Sequence, residues 1–318
     1  MKILAPLNNI DYLDAFIEAG ADEFFLGFYE EANEVKFGRY FELNRMSGFR
    51  RNSSRFTFEE IKRLVKEIKS RGKSAYITFN SSGYTEDAIR YMEPYIEGLV
   101  EAGVDGFIVS CLEMMDLVHR KCGNIIISGI GTTYNQYTAE FYKKYGAQRI
   151  ILPRDLTMEE IKKIIKTVPG IEYEVFIMRN GCILSDGNCL GLHLNRHGGV
   201  CKSIRESEKV FSCSSEEQLQ RLKETQRDYD HCLYKNACGI CAIFSMIHAG
   251  VNACKVVGRL DNHDRVLEDI RLVKENINIA LSCKTADEYL ANVKIPNSYK
   301  EYCTRFSCYY PEIVANRL

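Results

Sequence analysis

Cysteine is the residue type with the most chemistry to offer in this chain of 318 residues, which holds thirteen of them. Only Cys111 and Cys122 precede residue 180, whereas eight fall between Cys182 and Cys254. Use as small core residues would scatter them along the chain. The motifs GCILSDGNC, RHGGVC and NACGIC carry Cys182, Cys189, Cys201 and Cys238, and Cys213, Cys232, Cys241 and Cys254 complete the group. Soft thiolates that converge from loops suit a [4Fe–4S] cluster or tetrahedral zinc. Spacing does not choose between the two, since Cys238–Cys241 is the only C-x2-C pair and no ferredoxin-type run is present.

Other polar residues stand where a site would need them. Lys255 and Arg259, in CKVVGR, fall at the end of a strand and the start of its loop, where the pair could clamp a substrate carboxylate or phosphate. His193 and His197 flank Arg196 inside the cysteine-rich stretch and are candidate proton donors or cluster-side ligands. Arg45, Arg50, Arg51 and Arg55 form a basic loop with aromatic neighbours, readable as a phosphate or RNA contact or as a solvated loop. Asn80, Glu113, Thr132, Thr133, Asn135 and Gln136 follow predicted strands, with Tyr29, Tyr84 and Tyr134 as candidate walls. Neither a Gly-x-Ser-x-Gly elbow nor a His-Glu-x-x-His motif occurs.

The elements that must position these residues alternate between short β-rich runs and amphipathic helical patterns, the signature of repeated β-α units. Eight strands are expected: 2–5, 23–26, 74–79, 106–109, 124–128, 149–152, 172–177 and 253–257. Helices are expected over 9–19, 57–71, 86–102, 112–120, 136–145, 157–167 and 264–276. Thr57-Phe-Glu-Glu60 and Thr157-Met-Glu-Glu160 read as capping boxes. The phrases EAGADEFFLG, EAGVDGFIVS, KYGAQRIILP and HAGVNACKVV each give a helix end, a glycine stop and a strand. The expected fold is an α/β (β/α)8 barrel of the TIM type, with a doubly wound open sheet as the alternative. The barrel, 1–281, includes a cysteine-rich insertion at 179–246 between strands seven and eight. An irregular extension, 282–318, packs on it. In a barrel both this insertion and the long loop 28–56 lie at the C-terminal face, where active sites are built.

Composition bounds the function. With 46% hydrophobic and 27% charged residues the chain can build a large core. Lys+Arg at 42 against Asp+Glu at 43 gives a formal charge of −1, so no global field attracts a polyanion. A small molecule with an anionic group is the expected substrate, with nucleic acid less favoured. The opening MKILAPLNNIDYL has no basic, apolar export pattern and no long apolar run follows, so cytoplasmic location without membrane insertion is expected.

Several ordered motifs resemble peptidase family U32: KILAPLNNIDYLDAFIEAGADEFFLGF at the start, then SSRFTFEEI, EVFIMRNGCILSDGNCLG and HAGVNACKVVGR. The resemblance runs from Lys2 to about Asn276. It implies a (β/α) barrel, with many members holding a [4Fe–4S] cluster on four cysteines. Position by position it implies Cys182, Cys189, Cys201 and Cys238 as ligands, with Cys213, Cys232 and Cys241 as substitutes for Cys201. It further implies oxygen-independent hydroxylation of a small molecule or modified base, and a paralogous family member as a partner. A metal-dependent peptidase with zinc and Glu113 as base is the second reading, and a non-catalytic cluster-binding subunit the third.

Overall fold

The computed structural model describes residues 1–37, 43–46, 54–182, 185–189, 215–228, 235–295, 303 and 307–314. Eight parallel strands close into a barrel in sequence order: β1 (Lys2–Pro6), β2 (Glu23–Leu26), β3 (Ser74–Phe79), β4 (Gly106–Val109), β5 (Ile125–Ile127), β6 (Ala147–Ile151), β7 (Glu172–Met178) and β8 (Ala253–Val256). Closure is carried by β8 pairing with β1 at Lys2↔Ala253, Ile3↔Cys254 and Leu4↔Lys255. An open doubly wound sheet is thereby excluded.

The helices that cover the barrel are α1 (Leu13–Glu18), α2 (Glu31–Phe37), α3 (Phe58–Ser70), α4 (Glu86–Glu101), α5 (Leu112–Lys121), α6 (Gln136–Lys144), α7 (Met158–Thr167), α8 (Glu216–Asp228), α9 (Ile243–Ala249) and α10 (His263–Ser282). Both capping boxes form: the side chains of Thr57 and Thr157 accept from Glu60 and Glu160 N–H, and each glutamate reaches back to its cap backbone. The four recurrent glycines adopt φ of +110° (Gly20), +90° (Gly103), +88° (Gly146) and +88° (Gly250), closing helices in a conformation other residues rarely take. Apolar helix faces such as Ile61, Leu64, Val65 and Ile68 of α3 bury against the outer face of the sheet.

Two elements differ from the sequence expectation. Helix α10 runs to Ser282 because its apolar stripe, Val266, Ile270, Val273, Ile277 and Ala280, stays buried well past Asn276. The extension expected to be irregular contains helices α11 (Ala286–Asn292) and α12 (Pro311–Val314). Thr285 caps α11, and the buried Tyr289 donates its hydroxyl to Ile240 O at 2.7 Å, tying the extension to the chain just before α9.

The barrel interior toward the strand N-termini is ionic. Arg149 donates to Glu23 at 2.6 and 2.9 Å, to Glu172 at 2.5 and 2.8 Å and to Glu174 at 3.3 Å. Arg149, Glu23 and Glu174 are at most 3% exposed. Burial alone would push the Glu23 carboxyl up; the Arg149 guanidinium, with Lys2 2.9 Å away, reverses this and leaves it below the ordinary carboxylate value.

Candidate active site at the barrel mouth

Strand β2 ends at Leu26, and Gly27 opens the space beside it at the mouth. A Cβ on Gly27 would lie 2.6 Å from Arg259 Nη1 and 3.1 Å from both Asn44 Nδ2 and Ser54 Oγ, so only glycine leaves these three groups a common hollow. The Ser54 hydroxyl is buried and has no hydrogen-bond partner among the described residues. Arg259 is 9% exposed, donates to Thr78 Oγ1 at 3.4 Å and lies 5.7 Å from the Phe25 ring centre. Among the described residues no carboxylate stands within ion-pair distance of it. Burial, helped by the Arg45 charge, pulls its guanidinium down to about 10, which leaves it charged at neutral pH. A buried cation without a counter-charge, beside an unpartnered hydroxyl, is chemically an anion cradle. Gly27→Ala is therefore expected to displace the guanidinium and weaken binding of a small anion about tenfold, a loss on the scale of one hydrogen bond to a charged group. Calorimetry with inorganic phosphate or succinate measures it, and unchanged affinity would remove the cradle.

Lys255 sits deeper. It projects from β8 into the barrel, 6% exposed, with Nζ 3.3 Å from Glu174 Oε1 and 4.0 Å from the centre of the Phe25 ring. Lys255 and Arg259 thus share an aromatic neighbour without forming a clamp at one level: the lysine belongs to the ionic interior, the arginine to the rim. Burial pulls the Lys255 ammonium from 10.5 down to about 8, against the opposing pull of Glu174. Because the unfolded chain holds this proton up to about 10.5, the cost of burying the charge is present below pH 8 and is relieved between pH 8 and 10.5. Wild type should gain up to about 3 kcal/mol of stability relative to Lys255→Met across that interval. Urea denaturation at pH 7.5 and 10 checks this, and parallel changes in the two proteins would show that Lys255 is not so shifted.

The turn at 185–189, within the cysteine-rich stretch, is tied to the mouth by Asp186, which is fully buried. It accepts from Arg154 N at 2.9 Å and Arg154 Nη1 at 2.5 Å, and lies 3.7 Å from Arg45 Nη1. Arg154 follows β6 and stacks 3.5 Å over the Phe176 ring centre. Tyr134 accepts from Gly187 N at 2.9 Å, bonds Ser185 and donates to Asp155 at 2.5 Å, clasping the same turn. Cys182 and Cys189 flank this turn, and Cys189 N–H donates to Asp186 O at 3.2 Å. Cys182 lies within electrostatic reach of Arg154 and of the Tyr309 hydroxyl. Tyr309 in turn donates its N–H to Cys238 O at 3.0 Å and its hydroxyl to Arg179 O. Arg179 and Asn180, which leave β7, take φ of +63° and +50°, a strained exit for side chains that size. The buried Arg179–Asp269 ion pair holds it.

With this geometry in place, comparison with known proteins finds that the sequence profile of peptidase family U32 matches residues 8–313. The chain belongs to peptidase family U32. Among curated relatives, tRNA hydroxylation protein P1 of Bacillus subtilis is 27% identical over 81% of this chain and 58% of its own length. An uncharacterized protease of Methanocaldococcus jannaschii is 26% identical over 88% of this chain and 66% of its own. tRNA hydroxylation protein P2 of Bacillus subtilis is 23% identical over 91% and 88%. The chain thus spans between about half and two thirds of the length of the first two. Among solved structures, a U32 peptidase matches with a TM-score of 0.42 and 16% identity over 56% of this chain and 69% of that one.

Of the thiols expected as ligands from the sequence motifs, Cys182 and Cys189 border the Arg154–Asp186 pair and Cys238 adjoins Tyr309; Cys201 lies outside the described residues, as does His193. Cys213, Cys232, His197, Arg196, Arg50 and Arg51 also lie outside them. The described thiols are of the residue type that a soft metal centre uses. Among the described residues no three His, Cys, Asp or Glu side chains already close on one ion. Glu113 is exposed in the first turn of α5 beside Cys111, whose thiol burial pushes up to about 12. Asn80 donates to Ser128 at 3.1 Å and accepts from Arg45 N at 3.2 Å, and Tyr84 donates to Leu43 O at 2.8 Å, so both shape the rim. Thr132 takes φ +62° and Thr133 buries an unpartnered hydroxyl nearby. Among the described residues no helix is long and apolar enough to cross a membrane. Sequence reasoning missed Gly27, Ser54, Arg154 and Asp186. The signal for the last pair was the aspartate between two cysteines in CILSDGNC.

Proposed function

We propose that this protein is an iron–sulfur-dependent hydroxylase that works without molecular oxygen, on a small molecule or modified base with an anionic group. The observation that carries the reading is Arg259, a buried guanidinium with no counter-charge among the described residues, at the mouth to which the turn at 185–189 is tied. The names of relatives that act in tRNA hydroxylation support the hydroxylation class. A balance of charge near zero favours a small anion or a single base over a long stretch of RNA. The occurrence of two such relatives in one bacterium supports a paralogous partner.

Cys182, Cys189, Cys201 and Cys238 would hold a [4Fe–4S] cluster, with Cys213, Cys232 or Cys241 as a substitute for Cys201. Bound there, the cluster would supply electron transfer. Arg259 and Ser54 bind the substrate anion, Gly27 leaves it room, and the Arg154–Asp186 pair holds the turn at 185–189 in place at the mouth. Anchoring a remote anionic group in this way fixes the reacting atom and makes the reaction effectively unimolecular. A zinc peptidase is less well supported, since Glu113, its expected base, is exposed on α5.

The test is titration of anaerobically purified protein with succinate or phosphate, followed by visible absorbance. Saturable perturbation of the cluster bands is expected. A colourless protein, or bands indifferent to every anion, would defeat the proposal.

A further inference from the structure

An aromatic stripe runs down the outer wall of the barrel, on the side of α6 that faces away from the sheet. Of the seven large apolar side chains exposed among the described residues, three follow one another along this helix and its C-cap: Tyr137 at 78%, Phe141 at 40% and Tyr145 at 54%. Their spacing, i, i+4 and i+8, aligns them on one face, and the Phe141 and Tyr145 rings lie 4.7 Å apart. A fourth, Leu112, opens the neighbouring α5. The core is served by the other side of α6, where Ala139 and Tyr142 are buried. A surface helix ordinarily carries its apolar residues on the core side alone, and a second, outward aromatic stripe is the mark of a surface that meets a partner.

The charge around the stripe is graded along the barrel axis. At the mouth end stand Glu113 in the first turn of α5, Glu159 and Glu160 in the first turn of α7, and Asp155 in the loop before it, all exposed. At the far end stand His119, Arg120 and Lys121 on α5, Lys143 and Lys144 on α6 and Lys166 on α7. The three helices are joined there: His119 Nδ1 would lie 3.1 Å from a Cβ on Gly146, just after α6, and Lys143 donates to Pro169 O at 2.6 Å, just after α7. Each helix dipole favours acid at its start and base at its end. Three neighbours in step turn that local preference into a face that is negative at one end, positive at the other and aromatic along the middle.

We infer that this face docks a second copy of the chain, as a two-fold dimer in which the two α6 helices lie antiparallel. A two-fold interface sets the same patch on both sides, and helices can be laid on their mates in two ways. With the axis along the helices, α6 lies parallel to its mate and the acidic start of α5 falls on the acidic start of the partner's α7. With the axis across them, each helix lies antiparallel on its own mate. Phe141 then meets the partner's Phe141, Tyr137 meets the partner's Tyr145, Glu113 faces the partner's Arg120 and Glu159 faces the partner's Lys166. Only this second pairing sets opposite charges against each other and opposes the helix dipoles. Tyrosine and phenylalanine suit its centre, since rigid rings give large contact area for little lost rotamer freedom. The graded charge also disfavours a nucleic-acid strand, which requires one sign along its path. Three aromatics and the ends of two flanking helices make a small interface, so the dimer should dissociate at micromolar concentrations. It leaves both mouths open, and it depends neither on the cluster nor on its reaction.

The test is sedimentation equilibrium of the full chain alone, as wild type and as three variants, with circular dichroism to check that each is folded. Wild type is expected as a monomer–dimer equilibrium. Tyr137→Ser/Tyr145→Ser changes only exposed side chains and should weaken the dimer by about a hundredfold or more, the scale of losing aromatic anchors on both sides. Glu113→Lys/Glu159→Lys leaves both ends basic and Arg120→Glu/Lys166→Glu leaves both ends acidic, so each alone should dimerise about tenfold more weakly. Mixed in equal amounts, those two variants should pair with each other at least as tightly as wild type pairs with itself, a recovery that misfolded chains cannot give. A wild type that stays monomeric overturns the dimer, and a paralogous chain that it then captures through Tyr137 and Tyr145 would be the occupant instead. A dimer indifferent to the aromatic substitutions places the interface elsewhere, and charge variants that dimerise as well as wild type overturn the antiparallel pairing.

Discussion

Replacing Arg149 by methionine is expected to lower the free energy of unfolding by about 3–5 kcal/mol, the cost of leaving buried charge without its partner. The guanidinium bridges three carboxylates, and two of them, Glu23 and Glu174, are almost wholly buried. Methionine fills much of the same volume, so the loss is electrostatic and not a cavity. The pH dependence distinguishes this cause from poor packing. In wild type the Glu23 carboxyl lies below its ordinary value, so the stability it contributes is full above that value and is lost as pH falls. In the variant, burial is opposed only by Lys2, Glu23 takes up its proton more readily, and the gap between the two proteins should narrow below about pH 4.5. Urea denaturation at pH 7 and pH 4 measures both effects. A gap that is small at pH 7, or that does not change with pH, would mean the network is solvated in a way the geometry does not suggest. The consequence extends to the site, because Glu174 links Arg149 to Lys255 beneath the mouth.

Arg259→Lys should reduce affinity for a carboxylate- or phosphate-bearing ligand by about 1.5–3 kcal/mol, roughly ten- to a hundredfold, without moving the visible spectrum. Lysine preserves the charge but offers one ammonium where arginine presents a planar fork, so the loss isolates geometry from charge. Its shorter reach would also leave Ser54 Oγ, already unpartnered, without the ligand oxygen it is placed to meet. Equilibrium binding of succinate and phosphate to both proteins decides the matter. Equal affinities would show that the anion, if bound at all, is held elsewhere.

The barrel was legible because its signals are local. Alternating strands and helices, the Thr57 and Thr157 capping boxes and the glycine stops each act within a few residues, and closure is their repetition carried through eight units. The ionic interior was not legible. In the strand AQRII, Arg149 reads as an outward polar residue, and only closure of the barrel reveals that it meets Glu23 from the opposite side. Gly27 resembled any strand-ending glycine; its role comes from the arrival of Arg259, Asn44 and Ser54 from three distant segments. Cys238 was singled out from its motif, but its neighbours Cys303 and Cys308 lie beyond α11 and come into contact only through the fold of the extension. The Lys255–Arg259 spacing suggested one clamp, whereas the turn at Gly258, φ +131°, separates a strand residue facing inward from a loop residue at the rim.

The central claim, that the insertion carries an iron–sulfur centre at the barrel mouth, is tested most directly by chemical analysis of the protein purified without oxygen. About four labile sulfides per chain with matching iron are expected, lost together in Cys182→Ser/Cys189→Ser. Protein that is colourless, contains no labile sulfide and cannot be reconstituted with iron and sulfide would contradict it.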